Sequence, residues 1–145
     1  MSFNSGDILS AQRLNRLQSK PNWAQASGTV AAGSTSVDVP GATVTFTTET
    51  NGATVVIEWV AAFYSQTSAA TGLSSVKAVI DGSTSAPIFA VAQQAASTDR
   101  VQGAAVWQTT IATAGSHTIK LQATTNVNVT LQVYTALEVT VYEVV

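Results

Sequence analysis

The sequence predicts an all-β fold, an antiparallel β-sandwich or jelly roll of eight to ten strands with a short N-terminal arm or helix. Short runs in which apolar and polar residues alternate recur along most of the chain, as expected for strands with one buried face. Breaker pairs such as Pro40-Gly41 and Asp81-Gly82 separate these runs. Helical spacing is confined to the first 22 residues. Many short strands with frequent turns are typical of a sandwich.

The N-terminal arm, residues 1–22, differs from residues 23–145, which we predict to form one jelly-roll sandwich domain. Its apolar residues lie at about helical spacing: Ile8, Leu14 and Leu17. Ser10 is a good N-cap, and Pro21 would end the helix. A helix of about two or three turns is not stable alone in water. We therefore expect it to pack on its own domain or to dock on another subunit.

The stretch from His117 to Tyr142 contains the clearest strand pattern. Apolar residues alternate with polar ones from Ile119 to Ala123 and again from Val127 to Val141. One strand of the second length would be unusually long, so we predict a bend around Tyr134-Thr135-Ala136. Each of these strands has one apolar face, which another sheet must cover.

The run from Thr54 to Tyr64 is apolar on both faces, because its odd and its even positions are mostly apolar. A strand of this kind is normally covered on both faces. The second cover would come from a neighbouring copy of the protein or from the N-terminal arm. Asn51-Gly52, just before this run, is the strongest short signal for a β-hairpin.

Composition narrows the possible functions. The chain is 46% apolar and only 10% charged, and about a quarter of it is Ser or Thr, which suits β-sheet surfaces. The net charge of −2 gives no reason to expect nucleic acid. Residues 1–20 carry a balance of +2 and the remainder −4. A low charge weakens repulsion between copies, which fits self-association as well as a plain soluble sandwich.

Cysteine is absent, so disulfides and Cys-ligated zinc are excluded. The first residues lack the basic and long apolar regions of a signal peptide. No run approaches the ~20 apolar residues of a membrane span, so we expect no membrane association.

No group of residues predicts catalysis, and we expect no enzymatic activity, no metal and no cofactor. The sequence contains no nucleophile motif that the single histidine, His117, could activate as a general base. This favours a structural or surface role for His117. Glu58 is the one acid inside an apolar strand. It is either a catalytic or interface acid or, as we favour, an outward-facing acid paired with Lys or Arg across a strand or a subunit. The Trp and Tyr residues are dispersed through the strands, which favours core or interface packing.

The opening residues resemble a motif in structural proteins of tailed-bacteriophage virions. Phe3-Asn4-Ser5-Gly6-Asp7-Ile8-Leu9-Ser10-Ala11, followed by Leu14-Asn15, is similar to their pattern of an aromatic residue, Gly-Asp, a hydrophobic residue, Leu, Thr/Ser-Ala and Leu-Asn. Three later blocks resemble the jelly roll of the tumour-necrosis-factor and complement-globular type: Val55 to Trp59, Ala114 to Leu121 and Leu137 to Val141. Phages use that fold for capsid decoration proteins, head fibres and tail-fibre tips.

The resemblance implies a capsid decoration (cement) protein on the outer surface of the virion capsid, made in the host bacterial cytoplasm. Its implied partners are the other copies of a homotrimer, the major capsid protein and neighbouring decoration trimers. The arm residues expected to bind the capsid are Phe3, Ile8, Leu9, Arg13, Leu14, Arg16, Leu17 and Lys20. The residues expected at the trimer interface are Val56, Glu58, Val60, Tyr64, Trp107 and Tyr142.

Two other functions stay open at this point. A tail-fibre or receptor-binding tip protein would recognise a host surface glycan or protein through the polar loops Ser65–Leu73 and Gln93–Arg100. An enzyme such as a depolymerase is disfavoured, because glycoside hydrolysis needs two carboxylates close in space and the sequence indicates no such pair.

Overall fold

The computed structural model describes residues 11–65, 73–93 and 100–144, and in them two antiparallel sheets form a β-sandwich. The predicted fold class and strand number are confirmed. One short helix, α1 (Ala11–Leu17), precedes the strands, as the arm's spacing predicts. The strands are β1 (Lys20–Gln25), β2 (Val37–Thr48), β3 (Ala53–Ser65), β4 (Leu73–Ile80), β5 (Thr84–Ser85), β6 (Ala90–Gln93), β7 (Arg100–Ile111), β8 (Gly115–Thr124), β9 (Val129–Leu131) and β10 (Ala136–Tyr142).

The first of the two sheets, here called the front sheet, has the strand order β1-β10-β3-β7, and β9 pairs with the far end of β3. β3 lies between β10 and β7 over most of its length. The two-faced apolar run of the sequence therefore forms the centre of this sheet, with one side toward the core and the other pointing outward.

The other sheet, the back sheet, has the order β2-β8-β4-β5, and β6 also pairs with β4. Asp81-Gly82 joins β4 to β5, with φ angles of 47° and 73°. Positive φ at both central residues is what a type I′ hairpin turn requires. The Ser83 amide donates to the Ile80 carbonyl across this turn at 3.1 Å.

Side chains that alternate inward from both sheets fill the space between them. The largest of these is Trp59 on β3, which is almost fully buried. Its indole Nε1 donates a hydrogen bond to the Val76 carbonyl on β4 at 3.0 Å. The polar atom of a large core side chain is thereby satisfied, and the two sheets are joined across the core.

The connection between β2 and β3 differs from the predicted hairpin. Asn51-Gly52 does form the turn, but β2 pairs with β8 in the back sheet, whereas β3 lies in the front sheet. The Gly52 amide donates to the Ile111 carbonyl, and the Asn51 side chain accepts from the Ala114 amide at 2.7 Å. The turn is therefore a crossover, which takes the chain from the back sheet to the front sheet.

The predicted bend in the C-terminal pattern is confirmed, since β9 ends at Leu131 and β10 begins at Ala136. Thr135, fully buried in this bend, accepts a hydrogen bond from the Ala62 amide at 3.2 Å.

The start of β1 lies earlier than the sequence indicates. Lys20 already pairs with Val141, so residues 20–22 of the predicted arm belong to the front sheet.

Charged contacts fix α1 and the start of β1 on the sandwich. The Glu49 carboxylate accepts hydrogen bonds from Lys20 Nζ at 3.1 Å and Arg16 Nε at 3.2 Å, and these bonds, that of Lys20 first, lower the pKa of Glu49. The Glu143 carboxylate, which is buried, accepts from the amides of Glu49 and Thr50 at 2.9 and 3.2 Å. Glu143, near the C-terminus, thus stabilises the backbone at Glu49, whose carboxylate binds Arg16 of α1.

Candidate functional site

The outward side chains of the front sheet, here called the front face, include four large apolar side chains that are exposed. Trp23 is 63% exposed, Val106 54%, Tyr142 47% and Val60 37%. They come from β1, β7, β10 and β3, so the exposed residues span the whole sheet. Large side chains that are exposed together on one face mark an interaction surface more often than isolated ones do.

An acid pair lies in the middle of the front face. The register places Glu58 on β3 directly opposite Glu138 on β10, with Trp23 and Val106 on the two outer sides of the same row. Both glutamates are exposed. A shallow depression of about 310 Å³ lies over this row and is lined by all four residues. Like charges directly opposite each other on neighbouring strands destabilise a sheet, so the pair does not stabilise the isolated chain.

The outward face of the back sheet exposes Leu73 and Val91 on β4 and β6, but it is mainly polar along β2 and β8. Thr45 and Thr118 face each other with their hydroxyls 3.4 Å apart. The Asp38 carboxylate accepts hydrogen bonds from Lys120 at 2.6 Å and Gln122 at 2.9 Å. These bonds, that of Lys120 first, lower the pKa of Asp38. These side chains of β2 and β8 therefore bind one another within the chain, whereas Glu58 and Glu138 of the front sheet form no ion pair among the described residues.

Most residues predicted for the trimer interface lie on the front face. Val56 and Tyr64 are half-buried there, and Glu58, Val60 and Tyr142 are exposed.

The prediction that Trp107 lies at the trimer interface is not matched by its position on the front sheet. Its register partner is the core residue Ile57, and its side chain packs against the core. Its neighbour Val106 is on the front face instead. Trp23, Val106 and Glu138 were missed by the sequence prediction, because only the register of β1, β7 and β10 against β3 shows which of their residues share its outer side.

The residues predicted for capsid binding are only partly described. Phe3, Ile8 and Leu9, like the side chain of Arg13, lie outside the described residues. Leu14 and Leu17 on α1 are 46% and 48% exposed, so their apolar side chains are available to a partner.

Arg16 and Lys20 were also expected to bind the capsid, but both pair with Glu49 of their own chain. Of the predicted loops Ser65–Leu73 and Gln93–Arg100, the first and last residues belong to strands, and residues 66–72 and 94–99 lie outside the described residues.

His117 is held at both ring nitrogens. Nε2 lies 2.9 Å from the Thr113 carbonyl, and Nδ1 lies 2.9 Å from Oδ2 of Asp81. Both ring nitrogens therefore have a hydrogen-bonding partner within the chain. A ring with no free nitrogen cannot serve as a catalytic base. The structural role predicted for His117 is supported by this geometry.

The Asp81–His117 contact predicts a pH dependence of stability. Burial raises the pKa of Asp81, but the hydrogen bonds from His117 and the Thr118 amide and the charge of His117 outweigh it, so the pKa lies below its usual value. A carboxyl with a lowered folded-state pKa stabilises the fold above its ordinary pKa and loses that contribution as the pH falls through the folded value.

We therefore expect the free energy of unfolding to fall more steeply between about pH 5 and pH 2 in the parent than in Asp81→Asn. Asparagine tolerates the positive φ of residue 81. Because the Asp81 side chain is 46% exposed, the difference should stay below about 1 kcal/mol. Urea unfolding at a series of pH values measures it, and two parallel pH profiles would contradict the assignment.

Within residues 11–65, 73–93 and 100–144, no three or more acidic or histidine side chains come together in a way that could hold a metal ion. In the same ranges, no helix has the length and hydrophobicity needed to cross a membrane. The structure does bring two carboxylates together, those of Glu58 and Glu138, which the sequence did not predict. They lie on an exposed sheet face rather than in an enclosed cleft.

No protein-family model and no curated protein sequence match the chain. A solved structure of infectious bursal disease virus, Gx strain, contains a chain that superposes with a TM-score of 0.52 and 11% sequence identity. The match covers 86% of the present chain and 33% of the viral one. The present chain thus spans about a third of that viral chain, and the similarity shows a shared β-sandwich fold.

Other similar structures have lower TM-scores. The PRD1 vertex protein P5 has a TM-score of 0.48 and 13% identity, over 88% of the present chain and 98% of its own. BtGH115A, a GH115 4-O-methyl-α-glucuronidase, has a TM-score of 0.40 and 15% identity, over 90% of the present chain and 17% of its own. Viral proteins and a glycosidase thus both occur among the structures that resemble this sandwich.

Proposed function

We propose that the protein is a structural component of a virion and, more specifically, a capsid decoration protein that assembles as a homotrimer. The observation that carries this proposal is the exposed apolar front face, with Trp23, Val60 and Val106 uncovered by the described chain. A sheet face of this kind gains free energy when another surface covers it, at about 25 cal/mol per Å² of apolar area. The other copies of the trimer supply that surface.

The remaining features agree with this assignment. The fold is shared with a chain of infectious bursal disease virus, and the N-terminal motif resembles that of tailed-phage virion proteins. Neither the front face nor α1 offers an enclosed cleft for a substrate, which fits a non-enzymatic role. Binding to the shell adds buried interface, and the shell is stabilised by mass action because the protein binds its assembled form.

In this proposal α1 docks on the major capsid protein or on a neighbouring trimer. Leu14 and Leu17 supply the apolar contact, since both are about half exposed on the isolated chain. Glu49 holds Arg16 and Lys20, and so orients the helix before it meets the shell. An oriented helix loses less conformational entropy on binding than a free arm would.

Replacing Leu14 and Leu17 together by serine is expected to abolish shell binding while leaving the trimer intact. Each leucine is half exposed, so the fold loses little, whereas the docked state loses two apolar contacts, about 1 kcal/mol or more each. Co-sedimentation with purified shells measures the binding. Val127→Ser is the matched control, because Val127 is 72% exposed in a β8–β9 loop away from α1. Unchanged sedimentation of the double variant would contradict docking through α1.

Copy number separates decoration from the alternative role as a tail-fibre or receptor-binding tip. Quantitative mass spectrometry of purified particles compares this chain with the major capsid protein. A decoration protein is expected at a fixed ratio to the major capsid protein and at high abundance. Only a few copies per particle would favour the tail tip and overturn the capsid assignment.

A further inference from the structure

We propose that Arg100 of one copy binds the Glu58–Glu138 acid pair of a neighbouring copy, which makes the front face a head-to-tail interface. This inference rests on the proposed self-association through that face. It names the charged contact that sets the arrangement of the copies.

The acid pair has no cationic partner among the described residues of its own chain. In these ranges, Lys120 pairs with Asp38, and Arg16 and Lys20 pair with Glu49. Glu58 and Glu138 form no ion pair there, although they lie directly opposite each other. Two facing carboxylates repel each other in the monomer, and one guanidinium between them would convert that repulsion into two charge-assisted hydrogen bonds.

Arg100 is suited to supply this guanidinium. It is exposed at the start of β7, opposite Tyr64, and its guanidinium carbon lies 5.4 Å from the centre of the Tyr64 ring. The ring holds the side chain against the front face, so less side-chain entropy is lost on binding. Arg100 forms no ion pair with any described residue. Lys77 also lacks one in the described part of the chain, but it lies on the back sheet, opposite Gln122.

The two charged sites are separated along the sheet. Glu58 and Tyr64 are six positions apart on β3, which corresponds to about 20 Å. On the outer side between them lie Val60 and Ala104, which are exposed, and the buried Ala62, which is opposite the exposed Gln102. The face is therefore acidic in the middle and basic at one end, and the small side chains Val60 and Ala104 between the two sites permit close approach of a second sheet.

A surface with this polarity allows each copy to give its arginine to one neighbour and to receive one from another. Such a contact is heterologous, and a ring forms when the rotation between copies closes. The homotrimer is the ring in the present proposal. The bound second copy also covers Trp23 and Val106, which lie in the same row as the acid pair.

Charge reversal tests this contact. Arg100→Glu and the double variant Glu58→Lys with Glu138→Lys are each expected to weaken self-association by about 100-fold, because like charges then face each other across the interface. Combining all three substitutions should restore association to near the parent level. Lys77→Glu is the matched control and should leave association unchanged. Sedimentation equilibrium at low and at high salt measures each dissociation constant, and circular dichroism confirms folding.

The outcomes distinguish this contact from the proposed function. If the parent protein associates and neither charge variant weakens it, the Arg100 contact is overturned while self-association stands. If the parent protein is monomeric, both are overturned. The Glu58→Lys and Glu138→Lys double variant exchanges one pair of facing like charges for another at exposed positions, so it remains informative even if Arg100→Glu fails to fold. Restored association in the triple variant supports the contact directly.

Discussion

Replacing Val106 with glutamate is expected to convert the assembled protein into monomers. Val106 is 54% exposed on the isolated chain and lies opposite Glu58 on the front face. In the assembly Val106 is covered by a second copy. A new carboxylate there would be desolvated and would repel the Glu58–Glu138 acid pair. Burying a charge without a partner costs several kcal/mol. The dissociation constant should therefore rise by at least about 30-fold, or about 2 kcal/mol.

The folded monomer should tolerate this change, because the side chain is exposed there. Val127→Glu provides the matched control, since it places the same charge at an exposed valine in the β8–β9 loop, outside the row of Glu58, Glu138 and Val106. Analytical ultracentrifugation of both variants at equal concentration gives the comparison. If Val106→Glu assembled as well as Val127→Glu, the front face could not be the surface that the copies share.

The largest expected loss of fold stability comes from Gly41→Ala. Gly41 lies in the bulged part of β2, between Asp38 and Thr43, with a φ of 78°. A Cβ atom there would lie 2.7 Å from the backbone nitrogen of Ser27 and 2.6 Å from its Oγ. Ser27 cannot easily move, because its amide donates to the Pro40 carbonyl at 2.8 Å. We expect a loss of about 2–4 kcal/mol from backbone strain and overpacking together.

Gly82→Ala separates the two causes. Gly82 has nearly the same φ, 73°, but apart from its two chain neighbours no atom of the described residues lies within 4 Å of the position that an alanine methyl group would occupy. This variant should lose only the conformational part, about 1 kcal/mol. Urea unfolding of both variants measures the difference in the free energy of unfolding. Equal losses would show that the contact with Ser27 has no energetic consequence.

The sequence predicted the sandwich because burial imposes a period of two on every strand with one covered side. The bend at Thr135 and the helix before Pro21 followed from similar local rules. The Asn51-Gly52 hairpin was wrong for a non-local reason. Turn chemistry favours reversal of the chain, but it does not decide whether the next strand pairs in the same sheet or crosses to the other.

The front face could be predicted only in part. The two-faced pattern of β3 indicated an outer apolar side, and Val60 and Tyr142 do lie there. Trp107 and Val106 are neighbours on β7, and only the register of β7 against β3 decides which of them points outward. The Glu58–Glu138 pair depends on the same information, because the two residues are far apart in sequence. Pairing of Arg16 with Glu49 likewise needs the fold.

The mass of the unmodified protein in solution tests the central claim most directly. Light scattering coupled to size-exclusion chromatography, at micromolar concentration and low salt, gives that mass without any assumption about the shape of the molecule. Coverage of the front face by sister copies predicts a stable trimer, three times the 14.9 kDa of one chain. A stable monomer under these conditions would contradict it, because Trp23, Val60 and Val106 would then remain uncovered.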